Sequence, residues 1–260
     1  MLKKTILSVA LIAAAGTFLS TPRTNASTVS FSSISVGDGS NHELGGSIEF
    51  AFGNGTVTVT ITNSTTSTLS ANELLGGVGF TLAVNGLGTP SIANTPTVGD
   101  QITVASDGTY TKSGATANNN LSGPWNASLT GSTILLMAGP SGATTPGPSD
   151  LVIGTPATGG TTYNGNGSID GNSAHNPFLF ETATFTLDIS GVTASSSLDP
   201  SANVVVYYGT GGSTFSITPQ GAVVTGGQLP IPATLPLVGA GMLGLGLLAL
   251  RNRRRRTSKP

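Results

Sequence analysis

The stretch that decides the fold of this 260-residue chain reads Thr56-Val57-Thr58-Val59-Thr60-Ile61-Thr62. Aliphatic residues alternate with threonine without a break, which is the period of a β-strand with one buried face. Valine, isoleucine and threonine are also favoured in strands, since their branched side chains fit a pleated surface. We therefore predict a strand that turns its aliphatic side chains towards a core and its threonines towards solvent.

A second alternating segment, 47–52, lies directly before this strand. Its apolar residues Ile48, Phe50 and Phe52 share one face. The residues between the two segments are Gly-Asn-Gly, at 53–55, and Asn-Gly is a strong short-turn signal because both residues tolerate positive φ. The two segments are predicted to form a β-hairpin.

Further short strands are predicted along the chain, separated by turns rich in Gly, Asn, Ser and Pro. The candidates are 78–84, 101–105, 109–111, 132–138, 151–153, 185–189, 203–208, 214–218 and 222–225. No segment has the convincing period of an amphipathic helix. Roughly nine to eleven short strands with such turns are typical of an all-β sandwich of jelly-roll or immunoglobulin-like topology.

Two stretches interrupt this pattern. The first contains Asn118–Asn120 and is interpreted as a loop that carries the only tryptophan, Trp125. The second, 139–177, is rich in Pro, Gly and Thr and is predicted to be a long polar loop or an internal domain boundary. A structureless loop of that length is unusual inside a compact domain. The region 27–228 is therefore expected to hold one β-rich exported domain, or two.

Charge is distributed very unevenly. Lys112 is the only basic residue between 27 and 228, whereas all eleven acidic residues lie there, so this region carries a formal net charge of −10. Such an excess argues against nucleic-acid binding, which needs clustered cations, and against docking on anionic lipid. The chain has no cysteine, which excludes disulfides, a thiol nucleophile and thiolate metal sites.

The N-terminus has the layout of a secretory signal peptide. Lys3 and Lys4 form a short basic region, 5–20 is apolar and rich in small residues, and 24–26 offers a small-residue cleavage site. We predict that 1–26 is a leader handled by the Sec export machinery and that the mature chain begins near Ser27. An uncleaved membrane anchor is the alternative.

The C-terminal region, 229–260, combines three parts in order. Residues 229–233 read Leu-Pro-Ile-Pro-Ala, 234–250 is uncharged and apolar, and 251–256 contains five arginines. A helix over 234–250 would span roughly 25 Å, slightly less than a hydrocarbon core of about 30 Å. We predict one marginal transmembrane helix, with the arginines held in the cytoplasm and the ectodomain outside it.

This tail resembles the PEP-CTERM class of bacterial sorting signals, in the variant whose short motif is close to Val-Pro-Leu-Pro-Ala. The positions in question are Leu229, Pro230, Ile231, Pro232 and Ala233 for the sorting motif, and Arg251, Arg253, Arg254, Arg255 and Arg256 for the cytoplasmic basic stop. The likeness covers about an eighth of the chain and departs from the motif at Leu229 and Ile231. A plain C-terminal anchor is the alternative.

The resemblance implies processing by an exosortase, a membrane-embedded cysteine protease-transpeptidase that cuts near the motif. It implies a Gram-negative bacterium and a protein that is anchored in the inner membrane before processing. Afterwards the protein would lie at the cell surface or in the extracellular matrix, with a structural role in biofilm or exopolysaccharide. Extracellular polysaccharide is then a candidate partner. The alternative function is a carbohydrate- or calcium-binding adhesin module.

Catalytic chemistry is not indicated by the sequence. The two histidines, His42 and His175, lack metal-type spacing, and neither a nucleophile elbow nor a phosphate loop occurs. A glycosidase needs two carboxylates that face one sugar. The candidates for carboxylates that meet across strands are Glu43 with Glu49 and Glu181 with Asp188. We predict no enzymatic activity and no cofactor.

One candidate cation site and one candidate sugar site remain. Oxygen-bearing side chains alternate with small residues in a spacing that resembles a calcium loop, at Asn164, Asn166, Ser168, Asp170 and Asn172. Only one of them is anionic, so the alternative is a turn whose Asn side chains cap their own backbone. A carbohydrate platform would use flat aromatic faces, and the alternative is core packing. Its candidates are Tyr110, Trp125, Tyr163, Tyr207 and Tyr208.

Overall fold

A computed structural model describes residues 26–35, 43–93, 98–113, 123–157, 160–210 and 213–217. Its strands are β1 (Ala26–Ser35), β2 (Glu43–Phe52), β3 (Thr56–Asn63), β4 (Leu75–Thr81), β5 (Ser91–Ile92), β6 (Val98–Val104), β7 (Tyr110–Lys112), β8 (Trp125–Thr130), β9 (Thr133–Ala138), β10 (Val152–Ile153), β11 (Phe178–Asp188), β12 (Val204–Tyr208) and β13 (Ser213–Ile217). The one helical element in these ranges is a 3-10 turn, Ala71–Glu73. The all-β prediction is confirmed.

Several predicted segments lie outside the described residues. They are the leader up to residue 25, His42, the loop at 118–120, the strand at 222–225, the sorting motif at 229–233, the helix at 234–250 and the basic cluster at 251–256. In the ranges that are described, no helix has the length and apolar character of a membrane span.

The strands lie in two layers that face each other. The first has the order β1-β2-β3-β11-β6-β7, with β5 beside the end of β11, and the second has the order β8-β9-β4-β12-β13. The short strand β10 joins the layers: Val152 pairs with Leu75 of β4 and, in parallel, with Leu179 of β11. This arrangement has the character of a β-sandwich.

The predicted hairpin is confirmed as β2 and β3. Phe50 stands opposite Val59, and Phe52 stands opposite Val57. Gly55 closes the turn at φ +77°, a left-handed conformation that glycine adopts without a steric penalty. The Leu, Val, Ile and Phe side chains of both strands are buried, and the threonines of β3 are half-buried on the outer face.

Strand β11 lies at the centre of the first layer. It pairs with β3 along one edge and with β5 and β6 along the other. Phe185 and Leu187 are fully buried, whereas Thr184 lies on the outer face, where its hydroxyl is 3.1 Å from that of Thr60. The predicted alternation over 185–189 is therefore confirmed.

Aromatic contacts join the two layers. The ring pairs with one member in each layer are Phe50–Phe80, Trp125–Phe185 and Phe31–Tyr208, with centroids 4.9, 4.5 and 6.2 Å apart. Tilted and edge-on ring pairs at such separations stabilise a core by about 0.5–1.5 kcal/mol beyond their buried area. The inner faces of the two sheets thus form one continuous core.

The placement of Trp125 in a loop was wrong. Trp125 begins β8, is 1% exposed, and donates its indole N–H to the backbone oxygen of Asp150 at 2.9 Å. Strands β1, β5 and β8 had no predicted counterpart. Strand β4 begins three residues before the predicted 78–84, because Leu75 pairs with Val152 and with Tyr208. A Cβ at Gly77 would lie 2.9 Å from the Leu136 oxygen, so glycine permits the close pairing with Met137.

The segment predicted as a long loop or boundary packs against β6 and β7. Asn176 acts as a substitute strand partner: its side chain donates to the Val104 oxygen at 3.0 Å and accepts from the Val104 nitrogen at 2.9 Å. Farther along, Tyr163 N donates to the oxygen of Gly108 at 2.9 Å. Strand β10 is the only strand in the described part of this segment. Whether the region 27–228 forms one domain or two stays a prediction.

We expect Phe80→Ala to lower the free energy of unfolding by about 3–5 kcal/mol, because it removes a fully buried ring and leaves a cavity between the layers. The control is Thr184→Val, which keeps the shape of a half-buried outer side chain and should change stability by less than about 1 kcal/mol. Urea denaturation followed by fluorescence of Trp125 measures both. Equal effects of the two substitutions would contradict the two-layer core.

Candidate functional site

Charged and aromatic side chains gather at one end of the first layer. We call this region the β6–β7 lobe and define it as residues 98–113 together with 160–181. It contains Lys112, whose Nζ lies 3.5 Å from Oδ2 of Asp100 in an exposed ion pair. It also contains the asparagine-rich segment and two of the candidate tyrosines. The lobe therefore brings together the side chains that the sequence analysis proposed for a cation site and for a sugar site.

The asparagine-rich segment is held by its own side chains. Asn166 Oδ1 accepts from Ser168 N at 2.8 Å and from the Ser168 hydroxyl at 2.5 Å. In the same way Asn172 Oδ1 accepts from Ala174 N at 3.0 Å. Ser168 Oγ accepts in turn from Ala71 N at 2.9 Å, which ties the segment to the 3-10 turn. Side-chain oxygens that a cation would need are thus engaged in the turn that the alternative interpretation describes.

Two carboxylates of the lobe lie near each other. Burial raises the pKa of Asp170, a hydrogen bond from the Gly165 backbone lowers it, and the neighbouring charge of Asp107 raises it. The pKa of Asp107 is lowered, because its carboxylate accepts from the side chain and the backbone of Thr109. Asp170 Oδ1 is buried and accepts no hydrogen bond within the described part of the chain.

In the part of the chain that the structure describes, the usual ligands do not converge on a metal centre. No group of three or more His, Asp or Glu side chains within the described ranges is placed to hold an ion. Asn164 is exposed, and Asp170 remains the one anionic member of the five candidates. The calcium site stays a prediction.

The five candidate aromatic residues do not form one platform. Trp125, Tyr163 and Tyr208 are at most 2% exposed and pack in the core, as the alternative interpretation expected. Burial raises the pKa of both Tyr163 and Tyr208 well above its usual range. Tyr207 is half-buried on the second layer, and Tyr110 is half-buried in the lobe.

Sequence reasoning missed an aromatic cluster around Tyr110. The ring of Tyr110 stacks on Phe180 with centroids 5.5 Å apart and meets Tyr163 edge-on at 5.7 Å. Lys112 Nζ lies 4.3 Å from the centroid of the Phe180 ring. We call Tyr110, Lys112 and Phe180 the aromatic rim. It brings the only cation of 27–228 onto a partly exposed aromatic surface.

A bulge in β11 explains why the rim was missed. Glu181 has φ +60°, and the pairing with β6 shifts between Leu179 and Ala183. A bulge re-aims the side chains of a strand, so that strict alternation counted back from Phe185 does not give the face on which Phe180 lies. No local sequence signal marks this irregularity.

Both predicted carboxylate pairs were wrong. Glu43 and Glu49 lie on the same strand, β2, and Glu181 and Asp188 both lie on β11. Residues six and seven positions apart on one strand are separated by roughly 20 and 23 Å. Neither pair can face one sugar across two strands, so the dyad of a glycosidase is not formed by these residues.

Asp150 is a buried acidic residue that the sequence did not single out. It is 6% exposed, with φ +59°, and its carboxylate accepts from Gln101 Nε2 at 2.6 Å. Its backbone nitrogen donates to the oxygen of Pro177 at 2.7 Å. Burial raises the pKa of Asp150, and hydrogen bonds from the side chains of Gln101 and Ser149 partly oppose this. The residue ties β6, β8 and the start of β11 together.

Glu73 is a second buried acidic side chain, at 0% exposure. Its Oε2 accepts from Leu69 N at 2.7 Å. Asn63 Nδ2 donates to the Glu73 backbone oxygen and to the Val152 oxygen, both at 2.9 Å. These bonds fix the connection between β3 and β4, which is a structural role.

A search of protein-family models and of curated proteins finds no match to this chain. Functional assignment therefore depends on the residues and geometry described above.

We expect Asp150→Asn to flatten the pH dependence of the free energy of unfolding. Because the folded-state pKa of Asp150 is raised above its ordinary value of 3.8, the neutral form is favoured in the folded state. The stability that the raised pKa of Asp150 contributes is therefore full at pH values below that ordinary pKa. It is lost as the pH rises through the folded-state pKa. Asparagine stays neutral, tolerates positive φ and keeps the oxygen that Gln101 binds.

Urea denaturation from acid to neutral pH measures this effect. The variant should be at least as stable as the parent at neutral pH. A variant that loses stability at neutral pH while retaining the parent's pH dependence would contradict the assigned pKa direction.

Proposed function

We propose that this chain is an exported cell-surface or extracellular-matrix protein of a Gram-negative bacterium, with a structural role in biofilm or exopolysaccharide. Its tail directs sorting, and an exosortase processes it near Leu229–Ala233. The protein has no catalytic activity of its own. Before processing, the helix at 234–250 anchors it in the inner membrane with the ectodomain outside the cytoplasm.

The observation that carries this proposal is the separation of the chain's charges and motifs by position. Nine of the ten basic residues lie in 1–26 or 229–260, and every acidic residue lies between them. Arginines directly after an apolar run are retained in the cytoplasm. A cysteine-free, acidic region between a leader and such a tail suits an exported, soluble ectodomain.

The core is also compatible with removal of both ends. The buried hydrophobic residues of the described ranges lie between Val29 and Tyr208. Loss of 1–26 and of the chain from Leu229 onwards would take none of them away. The finer topology we propose is jelly-roll or immunoglobulin-like. Five antiparallel hairpins of neighbouring strands support it, namely β1–β2, β2–β3, β6–β7, β8–β9 and β12–β13.

The sorting proposal is tested by expressing the full chain in a Gram-negative host with and without an exosortase. We expect the intact tail to hold the protein in the membrane when the enzyme is absent. With the enzyme present, a shorter product should reach the surface or medium. Pro230→Ala combined with Pro232→Ala should stay membrane-bound, whereas the control Ile231→Leu should be processed.

Cell fractionation and mass spectrometry of both termini measure the outcome. Recovery of the whole polypeptide from the cytosol, with both termini uncut, would contradict the proposal.

A second candidate function is carbohydrate binding at the aromatic rim. The observation that favours it is the partly exposed stack of Tyr110 and Phe180 beside Lys112 and Asp100, since aromatic faces bind apolar sugar faces and polar neighbours bind hydroxyls. The ring contacts within the rim leave it only partly free, which makes this the weaker candidate.

Glycan-array screening of the exported protein tests this candidate. We expect Tyr110→Ala to abolish any binding, because it removes half of the stack, and Tyr207→Ala, a half-buried tyrosine on the other layer, to leave binding unchanged. Circular dichroism confirms that both variants fold. Binding that survives Tyr110→Ala, or no binding by the parent, would exclude the rim as a sugar site.

A further inference from the structure

Strand β1 is the outermost strand of the first layer. It pairs with β2 from Ala26 to Ser35, and the pairing is regular up to Phe31, where a bulge follows. Within the described residues, no strand pairs with its other edge. Such an edge presents a row of backbone donors and acceptors that can pair with another strand.

Proteins usually protect a long edge strand with charge, proline or a bulge. The ten residues of β1 include neither a charged residue nor a proline, and its regular part precedes the bulge. Its side chains also alternate cleanly: Val29 and Phe31 are buried, whereas Ala26 and Ser30 are exposed. Within the described residues, the first half of β1 is therefore a regular pairing edge that lacks these protective features.

The other sheet edges differ from β1. Strand β7 has three residues and ends in Lys112, and Thr109, directly before it, forms a bridge with Thr162. Strand β8 has β5 packed next to it. Strand β13 has five residues, half the length of β1. Among these edges, β1 offers the longest run of backbone groups.

We infer that two copies of this chain pair through their β1 strands, antiparallel and about a two-fold axis. The inference does not rest on the proposed function. The two first layers would then form one continuous sheet across the axis. Such an isologous contact uses the same surface on both copies and closes as a dimer, so it does not propagate into a fibre.

The pattern of side chains restricts the position of the axis. If the axis lies level with a residue of β1, buried residues of one copy stand opposite buried residues of the other, and exposed residues stand opposite exposed ones. An axis through Thr28 places Thr28 opposite itself. An axis through Val29 places Thr28 opposite Ser30 of the second copy. If the axis lay midway between two residues, a buried position of one copy would stand opposite an exposed position of the other. Val29 would then be turned towards solvent, which is unfavourable.

Electrostatic repulsion does not oppose the pairing, although each copy is acidic. Strand β1 itself is uncharged, and the nearest described acidic residue on the outer face is Glu49, opposite Thr28 on β2. The two copies of Glu49 would be separated by three strand spacings, roughly 14 Å. This distance exceeds a Debye length of about 8 Å at physiological salt.

The absence of cysteine from the chain makes the pairing testable by disulfide cross-linking. Two single variants, Thr28→Cys and Ser30→Cys, place a thiol on the outer face of β1, beyond the leader predicted to end at residue 26. Residues directly opposite in an antiparallel pair lie within reach of a disulfide, whose Cα atoms are about 5.5–6 Å apart. The purified full chain in detergent is oxidised mildly, each variant singly and the two as a mixture, so that the test is independent of cellular location.

We expect one β1 variant or the mixture to form a disulfide-linked dimer, seen as a doubling of mass that reduction reverses. The matched controls Ser47→Cys and Ala51→Cys lie on the same face one strand inward, opposite Ser30 and Ala26, and should stay monomeric after oxidation. Sedimentation of the unmodified chain should show a dimer.

Two results would overturn the inference. One is a monomer in sedimentation together with cross-linking of the β1 variants no greater than that of the β2 controls. The other is preferential cross-linking of Ser30→Cys to Thr214→Cys on β13, which would show a head-to-tail contact in place of the symmetric pairing.

Discussion

Burial of the inner face of β3 and β11 against the second layer is the interaction on which the rest of the structure depends. Each Val, Ile or Phe on that face contributes about 1.5–3 kcal/mol when it is removed from water. Phe185 contacts Trp125 on β8, and Phe50, from the neighbouring β2, contacts Phe80 on β4. A chain without cysteine, and with one basic residue in 27–228, has no disulfide and few ion pairs to replace this contribution.

The β6–β7 lobe depends on the same central strand. The irregularity at Glu181 separates the part of β11 that pairs with β3 from the part that pairs with β10, whereas β6 pairs with both parts. Asp150 and Asn176 precede β11 in the chain. Asp150 is bonded to Gln101 of β6 and Trp125 of β8, and Asn176 is bonded to the backbone of β6. The lobe is polar outside and apolar inside, and its asparagines are used to build turns. These features support the structural or binding role that we propose.

Period-two alternation was sufficient to predict the β2–β3 hairpin and the second half of β11. Both elements have one buried and one solvated face, so apolar and polar residues alternate in their sequences. Strands β1 and β8 were missed because serine, threonine and asparagine make up at least half of their residues, although pairing and burial stabilise them. The candidate site was less predictable. The aromatic rim depends on a bulge, and Asp150 depends on contacts with distant segments, so neither leaves a local pattern.

Hydrogen–deuterium exchange of the exported protein, resolved to individual peptides by mass spectrometry, tests the central role of the β3–β11 pair most directly. If these strands anchor one core, the amides of Thr56–Asn63 and of 182–188 should exchange last, at a common rate that reports global unfolding. Peptides of the second layer that pack on them, such as those of β4, should exchange in the same cooperative step. Fast exchange of β3 and β11, or separate exchange of the two layers, would contradict the account.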